Sequence, residues 1–194
     1  MVGVRIALQL LPGGSLLGQA LSEFEGAKMN ARLEQLEEDL PQRLGEPLAK
    51  YGERAKELSA VLYSLVQAQP QDIPTTHLDW DSRLEPFKKE LRHVEADGLL
   101  QGSHAIGPGG EFKAGLRLNR GFVVYLALLH DKSQLIEKLT PAIDEATVQL
   151  NGRELRKSIE LPLTVIDSFF DDYVSRGQGF KSQEIGSSLY IPKV

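Results

Sequence analysis

The sequence predicts a mainly α-helical fold that contains one two-stranded antiparallel β-hairpin. Apolar residues recur every three or four positions over much of the 194-residue chain, which is the spacing of amphipathic helices. Between Leu99 and Asn119 the spacing changes to two residues on either side of a Gly-Pro-Gly-Gly segment, as in a hairpin. The chain is 41% hydrophobic and 25% charged, which is ordinary for a protein with a buried core.

An uncharged stretch near the N-terminus raises the question of a membrane segment. Residues 6–22 carry no charged side chain, but glutamine, proline and glycine interrupt these 17 residues. A spanning helix needs about 20 mostly apolar residues, and a secretory signal needs a basic start and a cleavage site. We therefore expect a buried segment, a turn and the start of a helix here. A membrane anchor is the alternative.

A regular seam of apolar residues follows in the N-terminal third. From Leu44 to Leu65 apolar side chains recur at alternating intervals of four and three residues, and the firmest helix is predicted over 53–68. Such a seam either packs helices together within one chain or pairs two chains. Periodicity does not distinguish internal packing from a homo-oligomer formed through these helices.

The middle of the chain is predicted to contain a linker, a helix and the hairpin. The polar stretch 69–81 has two prolines and no apolar period, which favours a linker. A helix is expected over 83–96, with Asp81 or Ser82 as its N-terminal cap and Gly98 at its C-terminal end. In the second strand of the hairpin, alternate residues should be buried.

The last third is predicted to be helical with a loose end. A helix is expected after Gly121 and another between Ser133 and Asn151, where Asn151-Gly152 would stop it. A final helix should begin near Pro162, and the Gly/Ser-rich residues from Gly177 onward should form a docked tail. The predicted organisation is a helical module (1–68), a linker (69–81), a core that also uses helix 53–68 (82–130), and a helical extension with a tail (131–194).

The middle segment resembles a winged helix-turn-helix domain over about residues 56–130. The resemblance is carried by "LRHVEADGLLQG" (91–102), where a helix stops and a strand begins, and by "FKAGLRLNRGFVVYLALL" (112–129), where a strand runs into a helix. It implies that helix 83–96 contacts DNA or a partner protein and that the hairpin is a wing. Only about 14 residues, 69–82, separate the first helix from helix 83–96, so a middle helix has little room.

The winged-helix-like segment is the net-basic part of an acidic chain. Residues 82–130 hold seven Lys and Arg against five Asp and Glu, which gives +2, whereas the whole chain carries −5. Contact with phosphates needs such cations. The candidate nucleic-acid or partner contacts lie on the helix and on the polar face of the hairpin: Lys88, Lys89, Arg92, Lys113 and Arg117. The alternative is a solvated helix face.

No arrangement of residues indicates a reaction. The chain has no cysteine, and its four histidines lack metal-ligand spacing. Asp167 and Asp171 lie one helical turn apart, which could suit a cation or acid–base chemistry, but a solvated face is expected. No P-loop, dinucleotide fingerprint or nucleophile elbow occurs. We predict no catalytic residues, no metal site, no cofactor and no enzymatic activity.

The N-terminal segment "LLPGGSLLGQALSEFEGAKMNARLEQLEEDL" (10–40) is similar to leading segments of some bacterial proteins linked to phage resistance. With the winged-helix resemblance, this favours a cytoplasmic, non-enzymatic binding or regulatory protein that contacts DNA or a partner protein. One alternative is a protein–protein adaptor of a bacterial defence or phage-related assembly. Another is a membrane-associating effector that acts through residues 6–22.

Overall fold

The computed structural model describes three stretches of the chain: residues 53–103, 115–184 and 187–193. All of them belong to the larger of two units, residues 43–194. The predictions for 1–52 lie outside the described residues, and so do the tip of the hairpin and Lys113.

Helices dominate the described ranges, as the sequence predicts, and short antiparallel strands separate them. The α-helices are α1 (Glu53–Gln67), α2 (Lys88–Ala96), α3 (Arg120–His130), α4 (Thr140–Asp144), α5 (Gly152–Ser158) and α6 (Leu163–Ser175). The strands are β1 (His77–Asp79), β2 (Leu100–Ser103), β3 (Gly115–Leu118), β4 (Leu150–Asn151), β5 (Gly179–Glu184) and β6 (Ser187–Pro192). A 3₁₀ helix (Ser82–Phe87) leads into α2, and a π-helical segment (Gln134–Leu139) leads into α4. None of these helices is both long and apolar enough to cross a membrane.

The predicted hairpin exists, but it belongs to a sheet of three strands. β3 lies in the middle and pairs antiparallel with β2 on one side and with β1 on the other. β1 comes from the segment 69–81, so the prediction of a linker there is wrong for residues 77–79. Leu116 and Leu118 are buried while Arg117 between them is exposed, which confirms the two-residue alternation over these three residues. Gly115, predicted on the face of Arg117, is buried, so the alternation does not extend to the start of the strand.

The predicted helix 83–96 is present as the 3₁₀ helix followed by α2. Asp81 caps it, because its carboxylate accepts a hydrogen bond from the Arg83 N–H at 2.8 Å. Gly98 ends it with a φ of +73°, a left-handed conformation that glycine adopts without steric cost. The apolar face of α2 is buried, since Leu91 and Val94 are both 0% exposed.

The apolar seam of α1 is filled by the chain itself. α1 packs against α3 and against the 3₁₀ helix, and Leu58 and Leu62 are 0% exposed without any second chain present. This part of the seam is therefore used for packing within one chain, which was one of the two alternatives. The prediction of a homo-oligomer is not tested by the described residues.

The C-terminal third differs from its prediction in two places. Asn151-Gly152 does not stop a helix, because Asn151 starts α5 by accepting a hydrogen bond from the Arg153 N–H at 2.9 Å. The expected tail after Gly177 instead forms the strands β5 and β6. They join β4 in a second three-stranded antiparallel sheet with β6 in the middle. The predicted final helix is confirmed as α6, which follows Pro162.

The two sheets are built by the same order of elements. In each, a helix is followed by a short strand, two helical segments and two longer strands, and the last strand pairs between the other two. Local details repeat as well. Asp81 and Asn151 cap the helical segment after the first strand, and Gly98 and Gly177, with φ of +73° and +72°, precede the second strand. The described chain thus repeats one topology, although no repeat is visible in the sequence.

The orientation of α2 can be tested by unfolding experiments. Leu91→Ala should lower the free energy of unfolding by about 2–5 kcal/mol, because it leaves a cavity in a fully buried position. Lys89→Ala, two residues earlier on the exposed side, should change it by less than about 0.5 kcal/mol. Urea denaturation of both variants measures the difference. Equal losses would contradict the assignment of buried and exposed faces.

Candidate nucleic-acid interface

The exposed face of α2 carries two cations that form no ion pair with any described residue. Lys89 and Arg92 lie three residues apart on the same side of the helix, opposite the buried Leu91 and Val94. Neither side chain makes a hydrogen bond or an ion pair with any described residue. His93 is exposed beside them. Two of the predicted contact residues are therefore accessible to a ligand.

The two glutamates of α2 are turned toward the protein. Glu90 is 8% exposed and pairs with Arg54 of α1, whose Nε lies 3.3 Å from the Glu90 carboxylate. Glu95 accepts a hydrogen bond from the Gly102 N–H of β2 at 2.8 Å. The sequence of α2 holds three basic residues (two Lys and one Arg) and two acidic ones. Because both carboxylates have partners within the fold, the outward side of α2 is more positive than this count indicates.

Lys88, the third predicted contact on this helix, has a partner. Its ammonium group lies 2.7 Å from the carboxylate of Glu85, three residues earlier, and Trp80 Nε1 donates a hydrogen bond to the same carboxylate at 2.9 Å. The hydrogen bond from Lys88, followed by that from Trp80, lowers the pKa of Glu85. Glu85 is therefore ionised at neutral pH and largely cancels the charge of Lys88.

Arg54 fixes α2 on α1. Besides its ion pair with Glu90, its guanidinium donates a hydrogen bond to the carbonyl oxygen of Pro86 at 2.5 Å. It also lies over the ring of Phe87, 5.7 Å from the ring centroid. These contacts act on the last turn of the 3₁₀ helix and the first turn of α2, so they set the direction in which Lys89 and Arg92 project.

Arg117 lies on the exposed face of the first sheet. In the register of the sheet it stands between His77 of β1 and Gln101 of β2, and all three side chains are exposed. Arg117 makes no hydrogen bond or ion pair with any described residue. The sequence does not indicate His77 and Gln101 as its neighbours, because the three residues of β1 are too few to show the alternation of a strand. The fifth candidate, Lys113, lies outside the described residues.

Arg120, which contributed to the basic count of the middle segment, faces the second half of the molecule. It begins α3 and forms ion pairs with Asp167 and Asp171 of α6. Lys181 of β5 pairs with the same two carboxylates at 2.8 Å, and the Ser188 hydroxyl of β6 donates to Asp167. The expectation of a solvated face is wrong for Asp167, which is 2% exposed because these partners replace water.

The electrostatic balance at Asp167 favours the carboxylate. Burial alone would raise the pKa of Asp167, but the hydrogen bonds from Lys181 and Ser188 and the charges of Lys181 and Arg120 outweigh it, so the pKa is lowered. Two cations and two carboxylates form one closed set that joins α3, α6 and the second sheet. These four side chains form an ion-pair network that holds the elements together inside the fold.

Ser59 and His130 are hydrogen-bonded, an arrangement that could be the nucleophile and base of a catalytic site. The Ser59 hydroxyl donates its hydrogen to the carbonyl oxygen of Lys56 at 2.8 Å, so His130 Nε2, 3.0 Å away, must donate to Ser59. A nucleophilic serine would require the opposite direction. Ser59 is also 2% exposed. Burial, opposed by the charge of Asp131, lowers the pKa of His130, which keeps the imidazole neutral at neutral pH.

Among the described residues, no three His, Asp or Glu side chains are placed to hold a metal ion. The acidic residues around β1 illustrate this. Asp81 is occupied as a helix cap and in an ion pair with Arg83 at 2.9 Å, and Asp79 is exposed beside His77. In comparisons with family models, curated proteins and solved structures, nothing matches this chain.

The ionic set around Asp167 predicts a pH-dependent stability. A carboxylate whose pKa is lower in the folded than in the unfolded chain stabilises the fold above the unfolded pKa of about 3.9. That stabilisation is lost as the pH falls through the lowered value. Asp167→Asn should therefore reduce the free energy of unfolding by about 3 kcal/mol at neutral pH, because it removes one member of a buried ionic set.

Denaturation with urea at a series of pH values measures this effect. The difference between Asp167→Asn and the unaltered protein should shrink as the pH falls below about 4. The matched control is Asp79→Asn, since the Asp79 side chain is 98% exposed and should contribute little. A difference that is the same at every pH would mean that the ionised carboxylate does not stabilise the fold.

Proposed function

We propose that this chain is a non-enzymatic, DNA-binding regulatory protein that contacts the duplex through the exposed face of α2. The observation that carries the proposal is the pair Lys89 and Arg92. Both are exposed, neither pairs with a described residue, and the two glutamates of the same helix have partners within the fold. A duplex binds proteins chiefly through its phosphates, so accessible cations on one rigid helix are the first requirement.

The topology of the first sheet supports a winged-helix interpretation. The order α1, β1, 3₁₀ helix, α2, β2 and β3, with β3 between the other strands, is the order in which a winged helix places a recognition helix before a two-stranded wing. One feature departs from that pattern. The segment before α2 is a six-residue 3₁₀ helix that runs into α2 without an intervening turn. Arg54 supplies the fixation that a longer middle helix would give.

The mechanism follows from how the charges are distributed. Lys89 and Arg92 would contact phosphates or base edges along one groove, and Arg117 would add a phosphate contact from the sheet. The neighbours of Arg117 in the sheet, His77 and Gln101, are exposed and can donate hydrogen bonds. Regulation would consist of occupying the DNA site, since the proposal assigns no chemical step to the protein.

A protein partner is the second candidate, and a specific observation favours it. Phe180 and Ile191 stand opposite each other on β5 and β6, and they are 62% and 39% exposed. An apolar cross-strand pair of this kind suits contact with another protein. The adaptor function therefore becomes the conclusion if the chain fails to bind DNA.

The proposed contact with DNA can be tested through the salt dependence of binding. With three phosphate contacts from Lys89, Arg92 and Arg117, the slope of log affinity against log salt should be about −2.7. Binding of the full chain to a fluorescent duplex should weaken about forty-fold between about 50 and about 200 mM salt. Lys89→Ala and Arg92→Ala should each weaken binding and make the slope shallower by about one.

Lys157→Ala is the matched control for this titration. Lys157 is equally accessible, but it lies on α5 and already pairs with Glu154 at 2.7 Å. Lys157→Ala should change neither the affinity for the duplex nor the slope of the salt dependence. Absence of binding at about 50 mM salt, or equal effects of Lys157→Ala and Arg92→Ala, would exclude the proposed DNA interface.

Glu85 provides a variant that should strengthen binding. Glu85→Gln keeps the size of the side chain but removes a negative charge next to α2. The affinity for the duplex should rise several-fold at low salt, because one charge that repels phosphates is lost, and this gain should shrink as salt screens it. Glu154→Gln, which removes a negative charge on α5, is the control and should leave the affinity unchanged.

A further inference from the structure

Arg156 differs from the other arginines of the described ranges in its surroundings. Five of them have a hydrogen-bond or ion-pair partner: Arg54, Arg83, Arg120, Arg153 and Arg176. Arg92 and Arg117 have none, but they are exposed to water. Arg156 is half-buried and its side chain pairs with no described residue. Its Nε is buried without a hydrogen bond, as are the Nε atoms of Arg153 and Arg176, but those two guanidinium groups have a partner through a terminal nitrogen. A buried donor that lacks a partner indicates a missing acceptor.

Arg156 is one of the residues that line a cavity of about 330 Å³. The cavity lies where the C-terminal end of α1 meets the segment between α5 and α6. Its apolar lining residues are Ile159, Leu161 and Pro162, and its polar lining residues are Gln67, Gln71, Arg156 and Glu160. The volume is at the lower end of the range for small-molecule sites, which also combine an apolar lining with a few polar groups.

The charges around the cavity are of both signs and do not neutralise each other. Glu160 lines the same cavity as Arg156, yet neither forms an ion pair with the other or with any other described residue. On the side of α1, the helix ends at Gln67 without a basic residue in its last turn. The C-terminal end of a helix is partially negative, so this side favours a cation, while Arg156 favours an anion.

We propose that this cavity binds a small zwitterion of the α-amino acid type. Its carboxylate would pair with the guanidinium of Arg156, and its ammonium group would lie toward Glu160 and the end of α1. The side-chain amide nitrogens of Gln67 and Gln71 already donate to Asp131 and to the Gln67 carbonyl oxygen, so their amide oxygens would accept from the ammonium group. The apolar lining would accommodate the rest of the ligand. A simple anion such as phosphate fits less well, because Glu160 would repel it. This site is independent of the proposed DNA interface.

Thermal unfolding of the full chain at neutral pH, with each of the twenty standard amino acids in turn, tests the proposal. At least one of them should raise the melting temperature in a concentration-dependent way, because a ligand that binds only the folded state stabilises it. Calorimetric titration then gives its dissociation constant. The N-acetylated and the carboxamide forms of the same amino acid should each bind about tenfold more weakly or worse, since each lacks one charge.

Variants connect the binding to the cavity. Arg156→Gln and Glu160→Gln should each raise the dissociation constant by about tenfold. Lys157→Gln, between them in sequence but absent from the lining, should leave it unchanged. Because Glu160 is exposed, Glu160→Gln gives a result even if Arg156→Gln fails to fold. No stabilisation by any amino acid, equal binding of the N-acetylated form, or equal effects of Lys157→Gln and Glu160→Gln would overturn the proposal.

Discussion

The burial of Asp167 requires positive partners, and this requirement joins the parts of the described molecule. An ionised carboxylate at 2% exposure is costly unless cations and hydrogen-bond donors replace its hydration shell. The fold provides them from three elements: Arg120 at the start of α3, Lys181 on β5 and Ser188 on β6. Because α3 follows β3 directly, the same contact ties the end of the first sheet to the helix and sheet of the second repeat.

This arrangement also decides which charges an external ligand meets. The middle segment has a formal charge of +2, but Arg120 is engaged inside, Lys88 is paired with Glu85, and Arg83 is paired with Asp81. On the acidic side, Glu90 and Glu95 are engaged as well. The charges that remain accessible on α2 and β3 are Lys89, Arg92 and Arg117. A count of charged residues in the sequence gives the sign of the net charge of this segment. The ion pairs within the fold determine where on the surface the remaining positive charges lie.

The sequence is informative where one local pattern determines the structure. The helices α1, α2, α3 and α6 follow from apolar periodicity, and the ends of α2 follow from Asp81 and Gly98. The strands β1 and β4 were not predicted, because three or two residues are too short to show alternation, and their partners β3 and β6 are distant in sequence. The segment after Gly177 has the composition of a tail, since its glycines and serines obscure the alternation of the strands that bury Leu189 and Tyr190.

The same limit applies to the candidate sites. Lys89, Arg92 and Arg117 could be proposed from their positions on the polar faces of a helix and a strand. The engagement of Lys88 and Arg120 depends on side-chain geometry, and so does the cavity around Arg156, which needs α1 and the α5–α6 segment to meet. These properties arise from contacts between residues far apart in the chain, and no local pattern encodes them.

The repeated topology shows why the fold alone does not define the function. α2 and α6 occupy equivalent places in the two repeats, each between a helical segment and a pair of antiparallel strands. α2 is buried on one side, whereas residues 163–170 of α6 are buried throughout because α3 packs against them. A helix that is covered in this way cannot enter a groove, and its carboxylates Asp167 and Asp171 would repel phosphates if it could. The proposed contact with nucleic acid therefore lies on the first repeat, and the second repeat packs against it through α3 and α6.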